Sequence, residues 1–314
     1  MRKIITCFLM MVIAMGCLSA KSKKTTELKY VGLKVYDPVY IAKDKGFFEK
    51  EGISVKIVDT VAGGATAAQM VANGSVNGGL LSNMAIANAV GNGLPIIAVA
   101  DIQSAFNNAP LEEFFVRKDS GIKTMQDLKG KKIAINLIKS SFHYTWLIAL
   151  KNAGMSPEDV IFVNIPFAQQ EEALVKGNVD AIGLMQPYTK SARSNEKLET
   201  LFTATDIFGE RQFCEIIMNK VWCENNPALA EKFVSAIAKA TEWVKSNQNE
   251  AKEIISKYTG IDKAFIDDYY FQPKGSVNIA DAEYWLKYMQ DNEGVATWVK
   301  VEDVATNKYN KAVK

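Results

Sequence analysis

The chain has 314 residues, of which 48% are hydrophobic and 23% are charged. This composition is typical of globular proteins and argues against a disordered, collagen-like or coiled-coil chain. At roughly 100–200 residues per domain, the length suggests about two domains. The 37 Lys and Arg residues nearly balance 35 Asp and Glu residues, whereas a nucleic-acid-binding protein usually has a basic excess, so no nucleic-acid partner is expected.

Residues 1–16 predict an export signal. Arg2 and Lys3 precede an apolar run from Ile4 to Ala14 that is too short to span a bilayer, and small residues follow it. A short buried N-terminal helix is the alternative, but the order of basic flank, apolar core and small residues favours a signal. We therefore expect an exported protein.

Two cleavage sites remain open. The segment 14–17 (Ala-Met-Gly-Cys) is similar to a bacterial lipobox, which favours lipidation of Cys17. Ordinary cleavage after Ala20 is the alternative, although bulky Leu18 stands two residues before that site. A lipidated Cys17 would anchor the protein to a membrane through a polar tether, residues 17–27.

Beyond the tether, short apolar strands alternate with helical patterns. Strands are predicted at 28–35, 53–58, 76–81, 95–100, 132–136, 160–164, 181–185 and 213–219, with helices at 38–48, 65–72, 84–90, 140–153 and 169–176. Strands separated by single helices indicate an α/β fold with parallel sheets flanked by helices. The rest of the chain is predicted to be mostly helical, with an apolar stripe after Pro227 that forms core.

The second half of the chain also repeats part of the first. Residues 70–78 and 173–181 align without a gap, with Gly74 opposite Gly177 and Asn77 opposite Asp180. Such a similarity could arise by chance in an α/β chain, but it favours two similar lobes.

The cysteines and the histidine do not form a metal-binding pattern. Cys7 would leave with the signal and Cys17 would carry the lipid, so Cys214 and Cys223 are the pair available in an oxidising compartment. A disulfide between them is possible, and two free thiols are favoured. With one histidine and no paired-cysteine motif, no metal is expected. No cofactor is expected either, because Gly63 and Gly64 lack the spacing of a nucleotide-binding loop.

Several segments carry a resemblance to a known family. The run Pro38–Ile53 (PVYIAKDKGFFEKEGI) resembles the opening signature of bacterial ABC-transporter solute-binding proteins of the nitrate, sulfonate, taurine and thiamine-precursor (NMT1/THI5-like) group. Residues 121–134 resemble the segment that opens the second lobe in these proteins. Ser140–Tyr144 resembles the ligand-facing helix start, and Gln186–Tyr188 the exit of the third strand. The similarity covers Leu28–Lys245 in unchanged order.

The resemblance implies a two-lobed periplasmic-binding-protein-like fold of type II. Each lobe is then a mixed, mostly parallel sheet flanked by helices, and two hinge strands join the lobes near 113–116 and 213–218. Lobe 1 would comprise 28–113 plus 216–314, with the C-terminal helices packed on it, and lobe 2 would comprise 114–215.

Two departures from the family pattern bear on function. Gln186 stands where the family often has Glu, which removes a charge from the expected pocket edge. The cysteine-rich motif of the eukaryotic pyrimidine-synthesising relatives is absent from the sequence, so their enzymatic activity is not expected here.

In open α/β sheets, ligands bind outside the carboxyl ends of the strands, in loops that lead into helix N-termini. The candidate ligand-binding residues are those of these loops: Tyr36, Asp37, Tyr40, Gly64, Ala65, Thr66, Ser82, Asn83, Ser140, Ser141, His143, Gln186 and Tyr188. Any of Thr66, Ser82 and Ser140 could instead be only a helix cap. Asp37 could bind a cationic ligand or fix its own loop.

Three classes of function remain. The favoured one is the receptor of an ABC importer, which captures a small organic solute by hinge closure and passes it to permease and ATPase subunits. The solute would be a thiamine-precursor-like heteroaromatic or an organosulfonate. An exported small-molecule enzyme, such as a lyase, and a surface adhesin or sensor lipoprotein are the alternatives. Because His143 has no triad or acidic pair in a recognised motif, catalysis is not expected.

Overall fold

The computed structural model describes residues 25–58 and 64–313. The predicted signal, Cys17 and most of the tether lie outside the described residues. The strands are β1 (Thr26–Val31), β2 (Ile53–Val58), β3 (Gly78–Ser82), β4 (Ile96–Ala105), β5 (Glu112–Arg117), β6 (Lys132–Ile135), β7 (Ile161–Asn164), β8 (Ala181–Met185), β9 (Leu198–Thr203) and β10 (Arg211–Asn219). The helices are α1 (Pro38–Asp44), α2 (Phe47–Lys50), α3 (Gly64–Ala72), α4 (Asn83–Gly91), α5 (Ser141–Asn152), α6 (Phe167–Val175), α7 (Thr189–Ser194), α8 (Ala204–Phe208), α9 (Lys220–Asn225), α10 (Pro227–Ser246), α11 (Gln248–Thr259), α12 (Ile279–Glu293) and α13 (Val301–Val304).

The strands form two mixed five-stranded sheets, in the orders β2-β1-β3-β10-β4 and β7-β6-β8-β5-β9. In the first sheet β1 is parallel to β2 and β3, whereas β10 is antiparallel to β3 and β4. In the second sheet β6 is parallel to β7 and β8, whereas β5 is antiparallel to β8 and β9. Each sheet with its helices is one lobe, and both lobes have the same strand arrangement.

The repeated segments occupy equivalent places in the two lobes. The Asn77 side chain accepts a hydrogen bond from the backbone N–H of Lys29 at 2.8 Å, and the Asp180 side chain accepts one from the backbone N–H of Lys132 at 2.9 Å. The backbone N–H groups of Asn77 and Asp180 donate in return to the Lys29 and Lys132 carbonyls, both at 2.8 Å. The Asn77 amide and the Asp180 carboxylate therefore form equivalent hydrogen bonds in the two lobes, between β1 and the start of β3 and between β6 and the start of β8.

The two aligned glycines have the same backbone conformation. Gly74 and Gly177 follow α3 and α6 and have φ of 78° and 74°. This left-handed conformation ends a helix and is readily adopted only by glycine. The similarity between the halves of the sequence thus reflects a repeated helix-turn-strand unit.

Two connections join the lobes, residues 106–111 between β4 and β5 and residues 204–210 between β9 and β10. The predicted lobe boundaries, at 113/114 and 215/216, fall inside β5 and β10. The predicted hinge strands at 113–116 and 213–218 also lie inside single sheets, because β5 and β10 pair with one sheet along their lengths. The chain therefore passes from one lobe to the other in the connections before β5 and β10, and not within these two strands.

Most predicted elements agree with the structure, and the differences are local. The strands at 53–58 and 181–185 agree residue for residue. The predicted helix 38–48 is interrupted at Gly46, which is left-handed with φ 66°. Strand β1 ends at Val31, four residues early, whereas β4 continues five residues past the predicted Ala100, and β9 was not predicted.

The C-terminal helices pack on the first lobe, as expected: α10 and α11 contact α1, and α12 contacts α4 and β10. In α10 the apolar stripe is buried at Phe233, Ile237, Ala240 and Val244, which confirms it as core, and Leu229 is partly buried. Within residues 25–58 and 64–313, no helix is both long and apolar enough to cross a membrane.

Candidate functional site

A cleft of about 860 Å³ lies between the two lobes. Its walls come from the segments that follow the carboxyl ends of strands in both lobes, and from the faces of α4 and α5. After β1 the chain leaves the sheet, so Leu33–Val35 line the cleft rather than continue the strand. A ligand bound in this cleft would contact residues of both lobes.

The interlobe cleft is largely apolar. From the second lobe, Phe142, Tyr144, Phe167 and Tyr188 line it, and Met84 and several alanines do so from the first lobe. Of the described lining residues two are charged, Lys34 and Lys139, and both are exposed. Since no described carboxylate lines the cleft, its chemistry suits a neutral or anionic solute with an apolar body.

Two helices begin at the cleft with serine caps. Ser82 caps α4 and its hydroxyl accepts from the Ala85 N–H at 3.4 Å. Ser140 caps α5: its hydroxyl accepts from the His143 N–H at 3.4 Å and donates to the Asn136 side chain at 2.8 Å. Because both cap bonds are long, the N–H groups at these helix starts are weakly satisfied and could donate to a ligand.

Ser141 connects the cleft to a buried carboxyl group. It lines the cleft and hydrogen bonds the side chain of Glu112, which also lies 2.8 Å from the Thr145 hydroxyl. Burial raises the Glu112 pKa to about 7, and the two hydroxyl contacts oppose this rise. A ligand at the start of α5 would therefore lie next to a carboxyl group that is partly protonated at neutral pH.

The loop after β1 is fixed by its own contacts. Asp37 is buried and caps α1: its two oxygens accept from the Val39 N–H at 2.8 Å and from the Tyr30 hydroxyl at 2.9 Å. The Tyr40 hydroxyl donates to the Leu33 carbonyl at 2.6 Å, and its ring stacks on Tyr258. The structure thus supports a loop-fixing role for Asp37 over ligand binding.

Tyr36 is also buried, and its ring stacks on Tyr269 with centroids 4.1 Å apart. Its hydroxyl has no hydrogen-bond partner within the described residues. Tyr36, Asp37 and Tyr40 therefore form the packed wall of the first lobe rather than the lining of the interlobe cleft.

Four other candidates lie outside the cleft lining: Thr66, Asn83, His143 and Gln186. Thr66 is exposed, and buried Asn83 donates to the Gln212 carbonyl at 3.2 Å and to the Glu215 side chain. His143 Nδ1 accepts from the Lys139 N–H at 3.2 Å, and burial lowers the pKa of this histidine.

Gln186 borders a second, more polar cavity of about 370 Å³, which is also lined by Arg193 and Asp267, an ion pair. The structure therefore brings six candidates together in the interlobe cleft: Gly64, Ala65, Ser82, Ser140, Ser141 and Tyr188.

The lining residues that sequence reasoning missed include Gln103 on β4 and Cys214 on β10, which are register partners in the first sheet. Because the predicted strand ended at Ala100, Gln103 fell in an unassigned segment. The one local hint was Ile102, an apolar residue that continues the pattern of the strand beyond Asp101. Cys214 and Cys223 are buried free thiols, and burial raises the pKa of each. Within the described ranges, no group of three or more His, Cys, Asp or Glu could hold a metal ion.

Residues 35–251, which make up more than half of the chain, match the family described as NMT1/THI5 like. The chain belongs to the NMT1/THI5-like family. A protein of Haemophilus influenzae named for thiamine biosynthesis is 28% identical over 245 residues, covering 76% of this chain and 74% of the relative. The 4-amino-5-hydroxymethyl-2-methylpyrimidine phosphate synthase of Saccharomyces cerevisiae is 26% identical over 239 residues, covering 69% of this chain and 66% of the relative.

Among solved structures, the periplasmic aliphatic sulphonate binding protein SsuA of Escherichia coli superposes with a TM-score of 0.72. The identity is 21%, and the match covers 88% of this chain and 91% of SsuA. This likeness confirms the expected two-lobed periplasmic-binding-protein-like fold. The chain is thus similar in fold to a protein named as a binding protein and similar in sequence to one named as an enzyme.

Proposed function

We propose that this protein is the extracytoplasmic receptor of an ABC importer, which captures a small organic solute between its lobes and presents it to permease and ATPase subunits. The observation that carries the proposal is the interlobe cleft, whose lining comes from both lobes across two short connections. A ligand in such a cleft makes its full set of contacts only when the lobes are close together. Its differential affinity for the closed state then shifts the lobes towards closure.

The cleft chemistry supports an organic solute. A volume of about 860 Å³ suits a small molecule better than a bare inorganic ion, and the apolar and aromatic walls would stabilise a carbon skeleton. The relative named for thiamine biosynthesis favours a heteroaromatic solute, whereas the sulphonate-binding structure favours an organosulfonate. Thermal-shift screening of a metabolite library, with mass spectrometry of the co-purified ligand, would separate these two classes.

We place the polar end of the solute at the start of α5. Ser140 and Ser141 both line the cleft, and the N-terminus of this twelve-residue helix presents backbone N–H groups and the positive end of the helix dipole. Lys139 lies next to them and is exposed. A polar or anionic group could therefore be bound here without an arginine.

The test is the variant Ser140→Ala with Ser141→Ala. Loss of a hydrogen bond to a charged group costs about 1.5–3 kcal/mol, so affinity for a ligand with an anionic end should fall at least about tenfold. For a neutral ligand the cost is about 0.5–1.5 kcal/mol, and the fall should be about two- to tenfold. Loss of a helix cap alone costs about 1 kcal/mol of stability and leaves affinity nearly intact. The matched control is Asn278→Ala, which removes a cap of α12 with a similarly long bond of 3.3 Å to the Asp281 N–H.

We expect Asn278→Ala to lower the melting temperature without changing affinity. If the double serine variant behaves in the same way, Ser140 and Ser141 are only caps. The polar end of the ligand would then have to be sought elsewhere in the cleft, at Ser82.

An enzyme on the same fold is the second candidate, because the yeast relative is named as a synthase. Two observations favour binding over turnover. His143, the single histidine of the chain, does not line the cleft, and burial raises the pKa of the Cys214 thiol, which disfavours the reactive thiolate. Incubation of the protein with its ligand, followed by mass spectrometry, should recover the ligand unchanged. Conversion to a product would favour the enzyme instead.

A further inference from the structure

Gln103 lies near the end of β4, and its side chain is completely buried while it lines the interlobe cleft. Neither its Nε2 nor its Oε1 atom has a hydrogen-bond partner among the described residues. Both functional groups of one buried amide are therefore unpaired at the floor of the proposed binding site.

Asp101, a buried polar residue on the same strand, has hydrogen-bond partners for its side chain, in contrast to Gln103. Asp101 is also buried, and it accepts from the Gln212 amide at 2.6 Å, the Gln272 N–H at 2.7 Å and the Ser104 hydroxyl at 3.1 Å. The protein thus satisfies the polar groups on this part of β4 except at the position that borders the cleft. A buried amide left without partners is unfavourable, so its presence indicates a partner from outside the chain.

We infer that Gln103 is the residue that selects the ligand, by pairing its amide with a hydrogen-bond donor and an adjacent acceptor on the same edge of the solute. The inference rests on the proposed function, because it assumes that the cleft binds a small solute. The Gln103 N–H₂ group would donate to the acceptor, and the carbonyl would accept from the donor. The ligand class that fits is a neutral planar heterocycle with an amino group next to a ring nitrogen, held between aromatic side chains such as Phe142, Phe167 and Tyr188. A sulfonate carries acceptors only and would leave Gln103 Oε1 unpaired.

The test uses three probes: 4-amino-2-methylpyrimidine, 2-methylpyrimidine, which lacks the amino donor, and ethanesulfonate. Calorimetric titration of the wild-type protein should show that the aminopyrimidine binds at least about tenfold more tightly than 2-methylpyrimidine. A site that binds a donor and acceptor discriminates strongly against an analogue that lacks one of them. In Gln103→Leu the two pyrimidines should bind with nearly equal affinity.

The matched control is Gln170→Leu. Gln170 is also completely buried, but its amide donates to the Ile165 carbonyl at 2.9 Å and accepts from the Gly183 N–H at 3.2 Å. We expect Gln170→Leu to lower the melting temperature of the ligand-free protein and to keep the preference for the aminopyrimidine. Gln103→Leu should leave the melting temperature of the ligand-free protein unlowered, because it removes polar atoms that have no partner. It should abolish the preference for the aminopyrimidine.

Several outcomes would overturn the inference. One is a preference for the aminopyrimidine that persists in Gln103→Leu. Another is a melting temperature that falls in Gln103→Leu as far as in Gln170→Leu, which would show a structural role for the amide. Binding of ethanesulfonate alone would overturn the inference and leave the proposed function intact. Binding of none of the three probes would also overturn it, and the metabolite screen would then decide the proposed function separately.

Discussion

Asp37 offers a direct test of how burial affects this protein, through the variant Asp37→Asn. Burial raises the pKa of this carboxyl group from its ordinary value of 3.8 to about 7, although bonds from Val39 and Tyr30 oppose the rise. Asparagine is also a good N-cap and keeps one oxygen for the Val39 N–H. Its amide can donate to the Tyr30 hydroxyl oxygen, so the variant should fold with the same contacts and without the charge.

The sign and size of the effect follow from proton linkage. Between pH 4 and 7 the folded state retains a proton on Asp37 that the unfolded state has lost, so a rise in pH through this window removes stability. Each pH unit corresponds to about 1.4 kcal/mol. From pH 5 to pH 8 the loss due to Asp37 is therefore at most about 3 kcal/mol. Asp101 and Glu112, whose pKa values burial raises to about 6 and about 7, contribute equally to both proteins and cancel in the comparison.

The assay is urea unfolding of wild type and variant at pH 5 and pH 8. We expect the free energy of unfolding to fall less in Asp37→Asn than in wild type, with a difference of about 2–3 kcal/mol. The control is Asp262→Asn: Asp262 makes the same type of cap bond, to the Ala264 N–H at 2.8 Å, but is exposed. The free energy of unfolding of Asp262→Asn should change between pH 5 and pH 8 by the same amount as that of wild type. Parallel pH profiles for Asp37→Asn and wild type would refute the assignment of a buried, protonated carboxyl group.

Three further predictions concern packing, motion and anchoring. Gly183→Ala would place a Cβ 2.7 Å from the Phe114 ring, so the variant should lose about 1–3 kcal/mol of stability; an unchanged melting temperature would contradict this packing. Solution scattering should show a smaller radius of gyration when a saturating solute is added, and an unchanged radius would exclude closure as the signal. If Cys17 is lipidated, Cys17→Ser should release the protein from membranes or leave the precursor uncleaved, whereas an unlipidated mature chain beginning at Lys21 would rule out the lipobox.

Local sequence patterns predicted most of the secondary structure because they depend on neighbouring residues. Alternating apolar residues predicted β2, and glycines with left-handed backbone end α3 and α6 where the sequence suggested. The prediction was poorest at β9, whose partly buried residues carry a weak pattern, and at the end of β4. In β4 the polar residues Asp101, Gln103 and Ser104 are buried, so a pattern based on hydrophobicity could not recognise them as strand.

Short-range patterns were enough to predict the α/β class, the repeated unit and the serine caps at Ser82 and Ser140, because each depends on residues that are close together in the chain. Which of the candidate residues share a cleft depends instead on contacts between distant parts of the chain. Asp37 and Asn83 are polar residues at strand exits, as Ser140 is, but contacts with Tyr30 and Glu215 from other elements bury their side chains. Gln103 lies at the cleft because β4 pairs with β10, which places Gln103 beside Cys214. Hydrogen bonds between residues distant in the chain decide whether a polar group is satisfied inside the protein or is left for a ligand, and no local pattern reports them.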